Sequence, residues 1–428
     1  MEIRVARIAG ANDGDGSPGR RSTVDPFSTA CYIAATHRAA AGASERLALR
    51  ALVAGLALQL AFGLVFAWGT VVPFVRSQEH WPAVLLGAVF SATPLGYGTG
   101  TLLGGRLADR LPPRRLCWAA LGLLALGLGV AFLFPSGFTF VVFYAGVALG
   151  LGGGVALTGA VAAATQVYPR HAGGVGGALT AAYAAAAIFE APLIALLAPR
   201  LGWLGALRLV AVTVAVVAAL GLTLMPNLPR ARRHPDAPQP VGQLQLLRRP
   251  LIWSGGLVIL LGATLGPYAA VNLVADANLH RLAPWLGTAG LVGFSFGNAF
   301  SRLAAGLAAD RLGVDPVVLV VLGLDLLTAG LLWSSSTPLT ILLAGLAAGT
   351  ALGSAAGVLS RMARNAAPDA PNTAFGILFA AYAVGAVVGP LLGAVVGGSA
   401  AWLAVGAPAL AGLAVLAGRR RLRTAAHP

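Results

Sequence analysis

Apolar runs long enough to cross a lipid bilayer recur along this sequence from about residue 50 to about residue 417. A helix needs about 20 apolar residues for one crossing. Apolar residues make up 57% of the 428 residues and charged residues 10%, a balance that excludes an ordinary soluble domain. The sequence therefore predicts an all-α membrane protein.

The runs number twelve and form two sets of six. The predicted spans are residues 50–75, 83–105, 116–134, 138–163, 173–197, 204–224, 250–275, 283–308, 316–334, 338–360, 372–396 and 399–417. The longest polar segment between runs, 226–249, carries five Arg and several Pro, which is typical of a linker. We therefore predict two six-helix bundles, 46–225 and 250–418, joined by a cytoplasmic linker.

The two ends of the chain differ from the bundles in composition. Residues 1–45 are rich in Gly, Ser, Asp, Arg and Ala, without the basic-then-apolar layout of a signal peptide. We expect them to be a disordered cytoplasmic extension, and residues 419–428 to be a basic cytoplasmic tail. The two cysteines, Cys31 and Cys117, do not indicate a disulfide framework.

The net charge is +15, and every cationic side chain is Arg, because the sequence contains no Lys. The Arg residues lie in short loops and at the termini, without the aromatic interleaving of a nucleic-acid-binding surface. Loops 106–115, 226–249 and 361–369 are rich in Arg, whereas 135–137 and 397–399 contain none. This alternation predicts that both termini face the cytoplasm, in the inner (plasma) membrane of a bacterium.

One short motif occurs twice, about two hundred residues apart. The first copy is Gly105-Arg-Leu-Ala-Asp109-Arg110-Leu-Pro-Pro-Arg114, and the second is Gly306-Leu-Ala-Ala-Asp310-Arg311-Leu-Gly313. Each copy follows the corresponding span of its own half. The Gly four residues before Asp-Arg is expected to let two helices approach closely.

The repeated motif resembles the signature loop of the major facilitator superfamily, which reads Gly-x-x-x-Asp-Arg/Lys-x-Gly-x-Arg/Lys. Pro112 replaces the second Gly of the first copy, and Asp315 replaces the last cation of the second copy. The resemblance implies two pseudo-symmetric bundles with a midplane site between them, exposed alternately to each side. It also assigns conformational switching to Gly105, Asp109, Arg110, Gly306, Asp310 and Arg311.

Small residues recur every four positions on two spans. The second span carries Gly96, Gly100 and Gly104, and the fourth carries Gly146, Gly150 and Gly154. In lipid such faces let helices pack closely, because burial of apolar surface no longer favours association. The stripes are consistent with static packing and with helices that slide during alternating access.

Ionisable residues within spans are energetically costly, which makes them candidates for function, and three of them stand out. Arg302 shares a helix face with Asn298 and either holds an anionic substrate or extends its guanidinium to the membrane surface. Glu190 either carries a proton or forms a structural hydrogen bond. Asp325 lies in a span that is peripheral in the resembled fold, so we favour a structural role for it.

Five aromatic residues fall within spans and are candidates for shaping a small site or for ordinary packing. They are Trp68, Tyr144, Tyr183, Tyr268 and Tyr382. We include all of these except Tyr183 with Arg302 and Asn298 as predicted substrate-binding residues.

Four stretches resemble the oxalate/formate antiporter and monocarboxylate transporter branch. They are Gly63-Leu-Val-Phe-Ala-Trp68-Gly69-Thr-Val-Val-Pro73 with Trp81, Tyr168-Pro169-Arg170 followed by Gly173-Gly-Val-Gly-Gly177, Asn298-x-x-x-Arg302-x-x-x-Gly306, and Phe375-Gly376-Ile-Leu-Phe379-Ala-Ala-Tyr382 with Gly389-Pro390. The resemblance implies that Arg302 engages a substrate carboxylate.

The sequence also departs from this branch. The first-helix Lys near Trp68 and the eleventh-helix Lys near Tyr382 are missing, and Asn298 replaces an Asp. A dianion is therefore disfavoured, since one buried cation cannot balance two carboxylates. Proton-driven drug exporters typically have an Arg on the fourth helix, and Gly146 occupies its place here. Drug efflux is therefore the less favoured function.

The sequence thus predicts a secondary transporter for a small monocarboxylate, with proton coupling or exchange. The alternatives are a transporter that exports a lipophilic compound and a protein that does not transport, such as a receptor or an assembly subunit. We expect a monomer in a lipid bilayer, with an anionic small-molecule substrate and without an enzymatic activity, cofactor, metal or nucleic-acid partner.

The Arg asymmetry makes a prediction about orientation. In a background without Cys31 and Cys117, a single Cys introduced in 226–249 should resist membrane-impermeant thiol reagents in intact cells. A Cys introduced in 397–399 serves as the control and should react. Rapid labelling of the 226–249 position from outside would show the opposite orientation.

Overall fold

The computed structural model describes residues 45–108, 110–168, 172–229, 243–334 and 337–425. The predicted N-terminal extension therefore lies outside the described residues except for Glu45. Asp109 and most of the linker also lie outside them, as do the side chains of the predicted tail.

The described residues form helices and no strand. In chain order the helices are α1 (Glu45–Gln78), α2 (Ala83–Ala108), α3 (Pro113–Leu133), α4 (Gly137–Val167), α5 (172–201), α6 (203–223), α7 (Pro250–Leu279), α8 (Pro284–Leu312), α9 (Val314–Ser334), α10 (Pro338–Ala366), α11 (Pro371–Val396) and α12 (Ala400–Ala425). A single-turn helix, Gln243–Leu246, precedes α7.

In the part of the chain that is described, nine helices are long and apolar enough to cross a membrane. One of them, Gly174–Thr223, contains Gly202 with φ 70° and ψ 164°, which breaks the helix into α5 and α6. Helices α2 and α8 are long enough but less apolar, since α2 is rich in Gly and Thr and α8 contains Asn298 and Arg302. The twelve helices agree with the twelve predicted spans.

The first helix of each half is interrupted near its middle. In α1 the residues Gly63–Ala67 form a 3₁₀ turn. In α7 the helix stops at Gly262 and resumes at Leu265, and the Thr264 hydroxyl donates to the Leu261 and Val405 carbonyls. The two halves thus share an interrupted first helix as well as the same number of helices.

Pairs of helices in the first half recur in the second. The glycine stripes of α2 and α4 pack against each other, with Gly96 on Gly146 and Gly150, and Gly100 on Gly154. The equivalent pair, α8 and α10, is also in backbone contact, at Gly290 and Gly345. Likewise α1 packs on α5 and α7 packs on α11. These repeated pairs confirm two pseudo-symmetric bundles.

The most extensive contacts between the bundles are those of α1 with α7, α2 with α11 and α5 with α8. In α2 the Ser91 hydroxyl donates to the Val387 carbonyl of α11 at 3.4 Å. Nearer the ends of the helices, Gly69 of α1 packs on Ala270, and Gly177 of α5 packs on Leu303. Contacts between the halves therefore occur on both sides of the membrane midplane.

A glycine stripe on α10 holds the backbone of α8. Gly345, Gly349, Gly353 and Gly357 recur every four residues and contact, in order, the carbonyls of Gly290, Phe294, Asn298 and Arg302. A side chain at any of these glycines would meet a backbone atom that cannot rotate away. The stripe therefore fixes the part of α8 that carries Asn298 and Arg302.

We expect Gly349→Ala to lower the melting temperature of the purified protein. Its new methyl group would meet the Phe294 carbonyl, and overpacking of this kind costs about 1–3 kcal/mol. Gly330→Ala on α9 is the matched control, because a Cβ there meets no described atom and Ala favours the helix. Equal melting temperatures for the two variants would contradict this role of the stripe.

Candidate functional site

Arg302 is half-buried on α8, and its Nε donates to the Asn298 Oδ1 at 3.1 Å. The spacing of four residues places both side chains on one face of the helix. Asn298 is fully buried, and its Nδ2 makes no hydrogen bond to a described residue. Within the described residues Arg302 has no carboxylate within ion-pair distance.

Three tyrosines lie within electrostatic range of the Arg302 guanidinium. Tyr97 comes from α2, Tyr183 from α5 and Tyr382 from α11, and each is 6–8% exposed. The Tyr97 and Tyr183 rings are 5.1 Å apart, and Tyr97 lies 6.1 Å from Phe379 of α11. The surroundings of Arg302 are thus aromatic, contain hydroxyl groups and come from both halves.

Phe66 of α1 extends this aromatic group across the boundary between the halves. Its ring lies 5.9 Å from Phe90 and 5.3 Å from Tyr183 in its own half. It lies 6.2 Å from Phe294 in the other half. An apolar wall therefore adjoins the polar groups around Arg302.

The structure brings two of the predicted site residues, Asn298 and Tyr382, to Arg302. It places Trp68 and Tyr144 in a different aromatic cluster, inside the first half. Their rings are 5.9 Å apart and both pack on Phe140, while the Trp68 Nε1 donates to the Leu86 carbonyl at 3.0 Å. Both are completely buried and neither is among the side chains around Arg302.

Tyr268 lines a different cavity, of about 490 Å³, at the end of the bundles away from the Asp310 motif. Its walls come from the ends of α1, α2, α7, α11 and α12. The Tyr268 ring packs on Trp402 at 4.7 Å, and the Trp402 Nε1 donates to the Asp276 Oδ1 at 3.3 Å. Tyr268 therefore belongs to a vestibule between the halves, separate from the Arg302 group.

Glu190 and Asp325 are carboxyl groups buried inside the two halves. Glu190 is 4% exposed, and its carboxyl group makes no hydrogen bond to a described residue. It lies within electrostatic range of Tyr144, so it faces the interior of the first half. Asp325 is 1% exposed and equally without a described hydrogen-bond partner, and it lies beside Gly262, where α7 is interrupted.

The second copy of the motif forms the end of α8. Asp310 lies in the last turn, where its Oδ1 is 3.3 Å from the guanidinium groups of Arg361 and Arg364 on α10. Arg311 is exposed, and the connection to α9 is a single residue, Gly313, with φ 88°. Asp310 therefore links the ends of α8 and α10.

The predicted role of the motif glycines in close helix contact is wrong for the first copy. Gly105 meets no described atom, and its neighbour Gly104 packs on Thr158 and Val155 of α4 instead. A Cβ added at Gly306 would meet only the Gly357 carbonyl, at an ordinary distance of 3.7 Å. Of the first copy, Arg110 is exposed, and Asp109 lies outside the described residues.

The start of α7 is tied to the loop between α10 and α11. Both guanidinium nitrogens of Arg249 donate to the Asp369 carboxylate, each at 2.7 Å. These hydrogen bonds hold the pKa of Asp369 below its usual value and raise the pKa of Arg249. The contact connects the end of the linker to the second half.

The sequence analysis did not identify Tyr97, which interacts with Arg302, or Gln59, which interacts with Tyr97. Tyr97 lies between the glycines of the α2 stripe, and Gln59 is an uncharged polar residue in the middle of an apolar span. The signal that could have identified both residues is their polarity within an apolar span. The described residues contain no group of three His, Cys, Asp or Glu side chains placed to hold a metal ion.

The family model of the Major Facilitator Superfamily matches residues 51–289, which is more than half of the chain. No curated protein matches the sequence significantly.

The fold is similar to those of solved transporter structures. One is a bacterial homolog of the human lysosomal transporter Spinster, in an inward-facing and unoccupied conformation, with TM-score 0.65, 13% identity, and coverage of 87% of this chain and 95% of that chain. Another is a point mutant of the nucleoside transporter NupG, with TM-score 0.67, 13% identity, and coverage of 87% of this chain and 99% of that chain. With this fold and this family match, the chain belongs to the major facilitator superfamily.

Proposed function

We propose that this protein is a secondary transporter that binds a small monocarboxylate at Arg302, between its two halves. The family and fold support secondary transport of a small solute. The observation that carries the finer proposal is a half-buried guanidinium without a carboxylate partner among the described residues. An uncompensated cation in such a place costs several kcal/mol, and a bound anion relieves that cost.

The groups around Arg302 suit a carboxylate in particular. The guanidinium is a planar fork of donors that matches two carboxylate oxygens. Its Nε is already used by Asn298, so the two terminal nitrogens remain for the ligand. The hydroxyls of Tyr97, Tyr183 and Tyr382 are further donors, and the Phe66 wall suits an apolar body.

The charge count favours a monoanion over a dianion. No second Arg is among the side chains that interact with the three tyrosines, and the chain contains no Lys. One cation balances one carboxylate, and a second carboxylate would remain uncompensated in a desolvated site.

For coupling, we propose that Glu190 carries the proton. This is supported by the near-complete burial of Glu190 without a described hydrogen-bond partner, a setting in which a carboxyl group is stable only when protonated.

For switching, we propose that Asp310 stabilises one conformation through Arg361 and Arg364, with Asp109 in the equivalent role. The Arg-rich loops support cytoplasmic termini in a bacterial inner membrane, and we propose a monomer as the working form.

Loss of the Arg302 guanidinium should remove discrimination between a carboxylate and its neutral amide. We expect Arg302→Ala to weaken binding of the acid by at least about 2 kcal/mol, and Arg302→Lys to weaken it less, because Lys keeps the charge without the fork. The measurement is binding of a small carboxylate and of its amide to all three proteins.

Arg115→Ala, at an exposed position on α3, is the matched control and should bind as wild type does. If wild type binds acid and amide alike, or if Arg302→Ala retains full affinity for the acid, the anion proposal fails. A lipophilic efflux substrate then becomes the better hypothesis.

Glu190→Gln should abolish uphill uptake driven by a pH gradient while sparing exchange of substrate, because exchange needs no net proton movement. Proteoliposomes with and without a pH gradient provide the measurement. Asp325→Asn is the matched control, since it removes another buried carboxyl group without a described hydrogen-bond partner. Normal proton-driven accumulation in Glu190→Gln would exclude Glu190, and loss in Asp325→Asn alone would assign the role to Asp325.

A further inference from the structure

Gln59 is a fully buried amide in the middle of α1, one helical turn before the 3₁₀ interruption at Gly63. Neither its Nε2 nor its Oε1 makes a hydrogen bond to a described residue. Some buried polar side chains in the helices find a partner on another helix, as Thr93 and Thr264 do by donating to the Ala145 and Val405 carbonyls. Gln59 is long enough to do the same and does not.

The place of Gln59 connects it to the Arg302 group. The Tyr97 hydroxyl is close enough to interact with the Gln59 amide, although the amide completes no hydrogen bond there. The same tyrosine lies within electrostatic range of Arg302, and its ring is held against Gly153 of α4. Gln59 therefore approaches the Arg302 site from the first half, while Arg302 belongs to the second.

A buried amide without hydrogen bonds destabilises a protein, because the amide has lost its water and gained nothing in return. A ligand that supplies a hydrogen-bonding group at this position would recover that free energy. An amide is both a donor and an acceptor, so it suits a hydroxyl group, which is also both. Arg302 can only donate hydrogen bonds, whereas the Gln59 amide offers both an NH2 donor and a carbonyl acceptor.

We propose that Gln59 is a specificity-determining residue that binds a second polar group on the substrate, so that the substrate is a carboxylate with a hydroxyl on its carbon chain. This inference rests on the proposed function, since it takes Arg302 as the carboxylate site. A site built to hydrogen-bond a substrate hydroxyl rejects the analogue without it more strongly than an apolar pocket rejects a missing methylene.

The test compares butanoate with 2-, 3- and 4-hydroxybutanoate. Wild type is expected to bind at least one hydroxy acid about tenfold more tightly than butanoate, which corresponds to about 1.4 kcal/mol. Gln59→Met, of similar length and without an amide, should lose that preference and keep its affinity for butanoate within about threefold. Gln166→Met on α4 is the matched control, because its Nε2 is also buried without a described hydrogen bond, and it should keep the preference.

The proposal is overturned if wild type shows no preference for any hydroxy acid, or if the preference survives in Gln59→Met. A change only in the melting temperature of Gln59→Met, with unchanged selectivity, also overturns it and indicates an amide satisfied by water. Butanamide separates the two proposals, since loss of discrimination between acid and amide tests Arg302, whereas the hydroxyl series tests Gln59.

Discussion

Direct contact between the backbones of α8 and α10 is the interaction on which the rest of the site depends. In a bilayer, burial of apolar surface does not drive one helix against another, so close packing of small residues must do so. The α10 glycines touch the α8 carbonyls from Gly290 to Arg302. Because an α8 carbonyl lies directly against each of these glycines, the positions of Asn298 and Arg302 are fixed by the backbone of α10.

The distribution of charge follows from this rigid placement. Arg302 lies near tyrosines of both halves, whereas the buried carboxyl groups of Glu190 and Asp325 lie elsewhere. Glu190 is beside Tyr144 in the first half, and Asp325 is beside the interruption of α7 in the second. Neither carboxyl group forms an ion pair with Arg302 among the described residues.

The helices that join the halves are the ones that carry the site. Tyr97, Tyr183 and Tyr382 come from α2, α5 and α11, and Arg302 comes from α8, so the two cross-half pairs α2–α11 and α5–α8 supply all four. A rocking movement of one half against the other would change the distances among these side chains. In the proposed function, substrate binding and conformational change are coupled through these contacts.

Much of the architecture could be predicted from local properties of the chain. The number of helices follows from the length of the apolar runs, and the contact of α2 with α4 follows from glycines that recur every four residues. Arg302 and Asn298 could be paired because residues four apart share one face of a helix.

The sequence alone determined the helices, their repetition in two halves and the placement of Arg302 beside Asn298 in the second half of α8. Each of these depends on neighbours that are close along the chain. Only the tertiary structure decided which aromatic residues surround that cation. Tyr97, Tyr183 and Tyr382 lie around Arg302, whereas Trp68, Tyr144 and Tyr268 lie elsewhere. The reason is that helix rotation and the pairing of α2 with α11 and α5 with α8 set the direction of each side chain, and those depend on contacts between residues more than a hundred positions apart.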